Sequence, residues 1–278
     1  MTRADKLAGK KIAVIGGSSG IGYGAAEILL SAGAHITIIS STQEKVDRAV
    51  SQLSSTAGGN VQGRVGNVRD EAAFTELLLS LAPLDHVIFS SVDKIIRGSL
   101  AEANLSDAAG LFGVKFWGSF VVAKAIAKHD IILPGGSLTL TSGAAALRPK
   151  KGATIGGALN GGLITATISL ADELSGKRIR VNTVVPGLVK TPLLGKLGNS
   201  EEQQREIYEQ AAGRLSVGFV ASPEDVAEAY LYAVRADYAN GSTIVIGEFH
   251  YLLNWFEMSE GVSNGFVIQM AVVLFDWG

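Results

Sequence analysis

The chain contains no cysteine, and its charged residues leave a formal net charge of only −2. The absence of cysteine excludes disulfides, thiolate metal sites and a cysteine nucleophile. Because nucleic-acid partners select a basic surface, the nearly balanced charge predicts no nucleic-acid partner. The first residues lack the apolar stretch of a secretory signal, so we expect a cytoplasmic protein.

Long apolar runs are also scarce. The last of them, 266–275, has about half the length that a membrane span needs. Residues 248–278 differ in pattern from the rest of the chain, and we expect an atypical C-terminal extension there. An extra strand or helix packed on the body or on a partner subunit is the favoured interpretation, with membrane contact as the minor alternative.

Strand-like and helix-like segments alternate along the rest of the chain, which is typical of a parallel α/β sheet covered on both faces. With 278 residues, of which 47% are hydrophobic, the chain can bury one large core, so we predict a single domain over 1–247. The predicted strands are 11–16, 35–40, 61–65, 85–90, 136–141, 179–185 and 242–247. The predicted helices are 20–32, 43–55, 70–81, 106–129, 154–175, 201–213 and 223–236.

A glycine-rich turn joins the first predicted strand to the first predicted helix. Glycines allow a sharp turn and a close approach of the backbone to a diphosphate, and the helix N-terminus directs free N–H groups at it. The strand–turn–helix context therefore favours a dinucleotide-binding loop over a tight turn without a ligand. The residues assigned to this loop are Gly16, Ser18, Ser19, Gly20, Ile21 and Gly22.

Further motifs follow the glycine turn. They are Leu84-Asp85 before the fourth predicted strand, Ser142 at the end of the fifth, and Arg180-Val-Asn leading to Pro186-Gly and Thr191-Pro. Over residues 9–247 the chain thus resembles the short-chain dehydrogenase/reductase family. The resemblance implies a doubly wound, Rossmann-type sheet of seven parallel strands in the order 3-2-1-4-5-6-7, with a nicotinamide cofactor. It also implies that the nicotinamide lies against Pro186, Gly187, Val189 and Thr191.

The end of the second predicted strand bears on the choice of cofactor. An acidic residue there would bind the ribose hydroxyls of NAD, but this chain has Ser40-Ser41-Thr42-Gln43 and no acid before Glu44. Hydroxyls and backbone amides can hold a 2′-phosphate, so NADP(H) is favoured over NAD. By the same resemblance, Asn67 and Val68 lie at the adenine.

The catalytic positions of the family are largely altered here. Members carry Tyr-x-x-x-Lys some thirteen residues after the serine, where this chain has Ile155 and Leu159. Residues 24–207 contain no tyrosine, so a shift of register does not restore the motif. Lys115 replaces a helical asparagine, and among the catalytic positions only Ser142 matches.

These changes leave three interpretations open. In the first, Lys115 or Asp93 donates the proton that tyrosine supplies in other family members. The alternative is that Lys115 is a lysine at the surface and that Asp93 is a solvated acid in a loop. In the second, the substrate is an iminium or activated enone, which accepts hydride without such an acid. In the third, redox chemistry is lost, and the pocket binds a nucleotide or guides a cyclisation. Ser142 is predicted to orient the substrate.

An atypical subset of the family, bacterial and fungal, is similar to this chain. Its members share Ser142-Gly-Ala-Ala followed by Arg148-Pro149, and a basic residue before Phe116-Trp-Gly. Fungal members are often encoded in secondary-metabolite pathways, so the resemblance implies a tailoring reductase for a bulky apolar small molecule. It also implies a homodimer or homotetramer formed through the helices near 106–129 and 154–175.

Overall fold

The computed structural model describes residues 6–57, 59–93 and 98–247, with the backbone alone at Ala108, Ala109 and Leu111. Seven parallel strands form one sheet in the order β3-β2-β1-β4-β5-β6-β7, which confirms the predicted architecture. The strands are β1 (Lys11–Ile15), β2 (His35–Ser40), β3 (Val61–Val65), β4 (Leu84–Phe89), β5 (Ile132–Thr141), β6 (Arg180–Pro186) and β7 (Thr243–Ile246).

Several of the surrounding helices begin at caps that the sequence encodes. Ser222 accepts a hydrogen bond from the Asp225 N–H with Pro223 in the first turn, and Ser200 with Gln203 forms a second capping box. Such caps satisfy N–H groups that the first turn leaves unpaired. The helices are α1 (Gly20–Ser31), α2 (Gln43–Thr56), α3 (Glu71–Leu81), α4 (Leu105–Phe112), α5 (Gly118–Lys128), α6 (Thr154–Glu173), α7 (Leu193–Lys196), α8 (Glu201–Ala212) and α9 (Pro223–Arg235).

The hydrophobic core lies on both faces of the sheet, as β1 illustrates. Ile12 and Val14 belong to one buried apolar cluster, whereas Ala13 and Ile15 belong to another. Alternate residues of a strand point to opposite faces, so a strand that is apolar throughout must be covered on both sides. This double burial, at about 25 cal/mol per Å² of apolar surface, is the main stabilisation of the central strands.

The helix predicted at 106–129 is interrupted in the structure. Between α4 and α5, a π-helical turn of five residues spans Gly113–Trp117. The guanidinium of Arg69 occupies the space that a side chain at Gly113 would need. The interruption places Lys115 in a π turn, a feature that occurs frequently at functional sites.

The fifth strand begins earlier than predicted. The strand is predicted at 136–141, but β5 starts at Ile132, so residues 132–135 also belong to it. Pairing with β4 is irregular there, because the register shifts between Leu84 and His86. Gly135 has a φ of +90°, a conformation that favours glycine. The predicted extension at 248–278 lies outside the described residues.

The strand order creates a crevice at the carboxyl edge of the sheet. β1 pairs with β2 on one side and with β4 on the other, so the connections after β1 and β4 diverge. In open parallel sheets, ligands bind where the connections diverge in this way. The loops that follow β1, β4, β5 and β6 meet at this edge.

Candidate active site

The turn after β1 is a cradle made of backbone. Gly16 has a φ of +84°, and a Cβ built on it would lie 2.7 Å from the backbone nitrogen of Ser91. A Cβ on Gly22 would meet the carbonyl oxygen of Gly16. Ser19 precedes α1 without a side-chain cap hydrogen bond, so the first N–H groups of α1 remain available to an anion.

Hydroxyl groups gather at the end of β2. The Oγ atoms of Ser18 and Ser40 are 2.8 Å apart, which joins the glycine loop to the second strand. The Nζ of Lys45 lies 3.5 Å from the Oγ of Ser41. The structure thus brings these predicted hydroxyls together and adds a cation, a set of groups suited to a phosphate.

The predicted adenine segment lies between β3 and α3. Asn67 Oδ1 accepts a hydrogen bond from the N–H of Arg69 at 3.1 Å. Val68 is buried, and its Cγ2 would lie 2.7 Å from a Cβ on Gly118. The segment is therefore packed directly against the first residue of α5.

The loop after β6 meets the glycine cradle. A Cβ on Gly20 would lie 3.2 Å from Cγ2 of Thr191, so these two predicted residues are neighbours. The Tyr208 hydroxyl accepts from the Thr191 N–H and donates to the Thr191 carbonyl oxygen, each at 3.3 Å. Pro186-Gly187 and the buried Val189 complete the loop on the side of β6.

Lys115 reaches the end of β5 from the π turn. Its Nζ donates to the backbone carbonyl oxygen of Ser142 at 2.8 Å, so the amine points into the protein rather than away from the helix. Burial lowers the pKa of Lys115 to about 8. The buried Ser142 hydroxyl donates to the carbonyl oxygen of Asn160 at 2.7 Å. The structure therefore brings Ser142 and Lys115 into direct contact.

Asn160, which the sequence analysis does not single out, faces the same place. Its Nδ2 donates to the Gly156 carbonyl oxygen at 2.7 Å, and because a carbonyl only accepts, this contact fixes the orientation of the amide. Its Oδ1 is buried and lacks a hydrogen-bond partner among the described residues. A Cβ on Gly143 would lie 3.3 Å from this oxygen. Asn160 thus presents a free acceptor beside Ser142.

The two family positions on α6 that the sequence analysis finds altered lie in an apolar cluster. Thirteen residues after Ser142 lies Ile155, and Leu159 follows one helical turn later. In the structure Leu159 is buried with Leu163, Ile155 packs against them, and the backbone carbonyl oxygen of Asn160 accepts from the Ser142 hydroxyl. The spacing of Leu159 and Leu163 is the signal that marks them as one inward apolar face.

Asp93 occupies a different place from the other two catalytic candidates. Its Oδ2 accepts from Nη2 of Arg69 at 2.5 Å, and this ion pair is partly exposed. Within the described part of the chain, no hydrogen bond joins Asp93 to Ser142 or to Lys115. The proton-donor role of Asp93 stays a prediction.

A cavity of about 200 Å³ lies beside the start of α6. The segment 98–103 forms one wall, and the first turn of α6 forms the other. Such concave spaces are where substrates are usually accommodated. The lining residues are Gly98, Ser99, Leu100, Glu102, Ala103, Gly152, Thr154 and Ile155.

Comparison with known families identifies this arrangement. The family model of the SDR-like Rossmann domain matches residues 3–253. The chain belongs to the short-chain dehydrogenase/reductase family. The structure of the MalC reductase/Diels–Alderase from Malbranchea aurantiaca is similar with a TM-score of 0.78 at 28% identity, and the match covers 88% of this chain and 98% of MalC.

Other relatives point to the same family. The short-chain dehydrogenase/reductase malC of Malbranchea aurantiaca is 31% identical over 252 residues, which cover 86% of this chain and 94% of malC. The short-chain dehydrogenase/reductase fsr5 of Gibberella fujikuroi is 32% identical over 251 residues, which cover 86% of this chain and 93% of fsr5. A small-chain dehydrogenase solved in complex with NADPH has a TM-score of 0.69 at 27% identity, and the match covers 86% of this chain and 96% of that dehydrogenase.

Membership of the short-chain dehydrogenase/reductase family makes this chain an oxidoreductase by fold and descent, with a fold that binds nicotinamide cofactors. Short-chain dehydrogenase/reductases of Malbranchea aurantiaca and Gibberella fujikuroi are among its relatives. Among the described residues around Ser142 are a donor cation, Lys115, and an acceptor without a hydrogen-bond partner, the Oδ1 of Asn160. Such a pair can hold a polar group of a ligand, and Lys115 can also release a proton.

Proposed function

We propose that this short-chain dehydrogenase/reductase is an NADP(H)-dependent tailoring reductase of secondary metabolism. It transfers hydride to a carbonyl, enone or iminium of a bulky apolar small molecule, without the tyrosine–lysine relay of the family. The observation that carries the proposal is the amine of Lys115 on the Ser142 carbonyl oxygen, at the same edge of the sheet as the backbone cradle. The similarity to malC and fsr5 supports the biosynthetic context.

The residues at the carboxyl edge fit a dinucleotide. Side chains at Gly16 or Gly22 would fill the cradle, and the uncapped start of α1 suits a diphosphate. Thr191, next to Gly20, would hold the nicotinamide end, and the segment 67–68 would hold the adenine end. When bound, the reduced cofactor supplies hydride.

The preference for NADP(H) is supported by the groups at the end of β2. A 2′-phosphate would find the hydroxyls of Ser18, Ser40 and Ser41, with the cation of Lys45 at its rim. We expect the Lys45→Met variant to bind NADPH about fivefold more weakly, because one charge-assisted hydrogen bond is lost, and to bind NADH as before. The measurement is fluorescence titration with both cofactors.

Arg48 provides the control for this titration. It is an exposed cation on the same helix, paired with Glu44 at 4.0 Å. Arg48→Met should leave both affinities unchanged. Equal loss of NADPH and NADH binding in Lys45→Met, or no loss of either, would contradict the assignment of the phosphate to this site.

Lys115 is the proposed proton donor for a carbonyl substrate. With a pKa of about 8, its amine is mostly protonated at neutral pH and can give a proton to the oxygen of the reduced substrate. An iminium becomes a neutral amine on reduction and needs no such proton. The identity of the substrate therefore decides whether Lys115 is required.

A non-redox cyclase is the second candidate. MalC is named a reductase/Diels–Alderase, and a site without the tyrosine hydroxyl is compatible with reactions that depend on the shape of the pocket more than on acid–base chemistry. Binding of NADPH without consumption of it on any test compound would favour this candidate, or an inactive nucleotide-binding protein.

The assembly is proposed to be a homodimer or homotetramer in the cytoplasm. Trp117 in the π turn and Ile168 on α6 are each more than half exposed, at 58% and 59%. By length and composition α6 could cross a membrane, a test that core helices also pass. Contact between copies through the helices near 106–129 and 154–175 would cover these apolar side chains.

The test of the proposed reaction compares two kinds of substrate. Consumption of NADPH is measured with aldehydes or ketones and with cyclic iminium compounds, for the wild type and for Lys115→Met. We expect carbonyl turnover to fall about 100-fold in the variant, while iminium turnover persists. Lys124→Met, which removes an exposed lysine from α5, should change neither rate. Unchanged carbonyl turnover in Lys115→Met would contradict the donor role.

A further inference from the structure

The π turn that carries Lys115 is held at both ends by one short segment of the nucleotide side. At its first residue, Gly113, the guanidinium of Arg69 occupies the place of a side chain. Just after its last residue, Val68 Cγ2 would lie 2.7 Å from a Cβ on Gly118. Two consecutive residues, 68 and 69, therefore support the turn from both sides.

Arg69 also forms hydrogen bonds with two of the segments that surround this turn. Its Nη2 donates to Asp93 Oδ2 at 2.5 Å, on the loop after β4, and to the Gly110 carbonyl oxygen in α4 at 3.3 Å. The second carboxylate oxygen of Asp93 is buried and has no partner among the described residues. One guanidinium thus links the loop after β3, the loop after β4 and the helix that leads into the π turn.

A π turn is rare and persists only where its surroundings hold it. Fixing a guanidinium with an ion pair and a carbonyl contact makes it a rigid support for the backbone at Gly113. Two residues after Gly113, the chain must deliver Lys115 to the Ser142 carbonyl oxygen, 2.8 Å from its Nζ. A small rotation of the turn would move the amine away from this oxygen.

We infer that Arg69 and Asp93 are a positioning pair, which fixes the π turn and thereby places the Lys115 amine at Ser142. This inference rests on the proposed function for the catalytic value of that placement, but not for the placement itself. Asp93 acts through Arg69, and the segment that holds the adenine also sets the position of the proton donor. Cofactor side and proton donor are therefore parts of one rigid unit.

The experiment follows Lys115 itself, without substrate. In protein labelled with ¹³C and ¹⁵N in lysine, NMR titration gives the pKa of each lysine, and the Lys115 signal is assigned by its loss in Lys115→Met. Burial, rather than a charged neighbour among the described residues, lowers the pKa of Lys115 to about 8. Loss of the support admits water to the amine and should raise this pKa by about one unit or more, toward the ordinary lysine value.

Two variants separate positioning from simple charge effects. In Arg69→Met a cation is lost, which by charge alone would raise the pKa of Lys115. In Asp93→Asn an anion is lost, which by charge alone would lower it. The positioning role predicts a rise of the pKa in both variants. A lowered pKa in Asp93→Asn, or an unchanged pKa in both, would overturn the inference.

A third variant changes no charge. A Cβ in Gly113→Ala would displace the Arg69 guanidinium, so the same rise in the pKa of Lys115 is expected. Lys124→Met is the matched control: it breaks the exposed ion pair of Lys124 with Glu71, which joins α5 to α3 at 2.6 Å, and should leave the pKa unchanged. Circular dichroism verifies folding in each case, and a rise in Lys124→Met equal to that in Asp93→Asn would also overturn the inference.

The same variants distinguish this inference from the proposed function. If the pKa rises as expected and carbonyl turnover falls about tenfold or more in Arg69→Met, both stand. If the pKa rises but wild-type protein consumes no NADPH, the positioning role stands and the reductase proposal fails. If turnover depends on Lys115 but the pKa of Lys115 is the same in the wild type, Arg69→Met and Asp93→Asn, the reductase proposal stands and the positioning role fails.

Discussion

The glycine cradle and the surroundings of Lys115, which the proposed function joins as two halves of one site, are built in different ways. The cradle consists of backbone atoms in a strand–turn–helix unit, and its shape is set by glycines that tolerate no side chain. The Lys115 half consists of side chains delivered by a π turn, a loop and α6. A backbone site is encoded locally, whereas the second half depends on packing between distant segments.

The two halves also differ in how much they oppose folding. The cradle places glycine where its turn needs it, with Gly16 at a φ of +84°, but the other half holds a cation with a lowered pKa and a buried amide oxygen that has no partner among the described residues. Buried groups of this kind oppose folding and are retained where they serve function. The following predictions perturb one half while leaving the other intact.

The largest expected effect comes from Gly22→Ala in the cradle. The added Cβ would collide with the Gly16 carbonyl oxygen, so the loop must move and close the site of the diphosphate. We expect NADPH binding to weaken by more than about 1,000-fold, as for a displacement costing about 4 kcal/mol. Gly161→Ala is the control, because a Cβ there meets nothing within 4 Å. Retained binding in Gly22→Ala would show that the cradle is not the cofactor site.

A smaller effect, of opposite sign, is expected for stability when Lys115 is replaced by methionine. Burial lowers its pKa from 10.5 to about 8, so the protonated amine opposes folding at pH 7. After the lost hydrogen bond to Ser142 is subtracted, Lys115→Met should raise the free energy of unfolding by about 2 kcal/mol. Below pH 8 the gain is complete, and it should be lost before the pH reaches 10.5, where the missing hydrogen bond to Ser142 is the main remaining difference. Urea unfolding at pH 7 and pH 10.5 checks this, and destabilisation at pH 7 would contradict it.

The smallest expected effect concerns Asn160. Its free Oδ1 is an acceptor beside Ser142, and we expect it to bind a donor on the nicotinamide half of the cofactor. Asn160→Leu should weaken NADPH binding about tenfold, because one hydrogen bond to a buried group is lost. Binding of 2′,5′-ADP, which lacks the nicotinamide half, should not change. Equal loss for both ligands, measured by competition titration, would assign the effect to general disruption of the site.

The fold and the cradle could be predicted because their signals are local and repetitive. Alternating apolar segments specify the sheet, and the glycines of the first turn specify its loop. The π turn could not be predicted, since it depends on a guanidinium at Arg69 that lies some forty residues before Gly113 in the chain. Asn160 was missed because its contacts with Ser142 and Gly143 join segments that are distant in the sequence.

The pairing of Asp93 with Arg69 shows the same limit. Along the sequence Asp93 is an acid just after a strand, and nothing nearby indicates a partner. The two residues meet because β3, β2, β1 and β4 are parallel neighbours, which puts the loops after β3 and β4 at one edge of the sheet. Interactions that depend on topology become visible only once the fold is assembled.

Calorimetric titration of the full chain with NADPH tests the central claim most directly. If the cradle and the loop at Thr191 hold a nicotinamide dinucleotide as proposed, one molecule should bind per chain, more tightly than NADH. Absence of binding by either cofactor at millimolar concentration would contradict the account, and the role proposed for Lys115 in hydride transfer would fall with it.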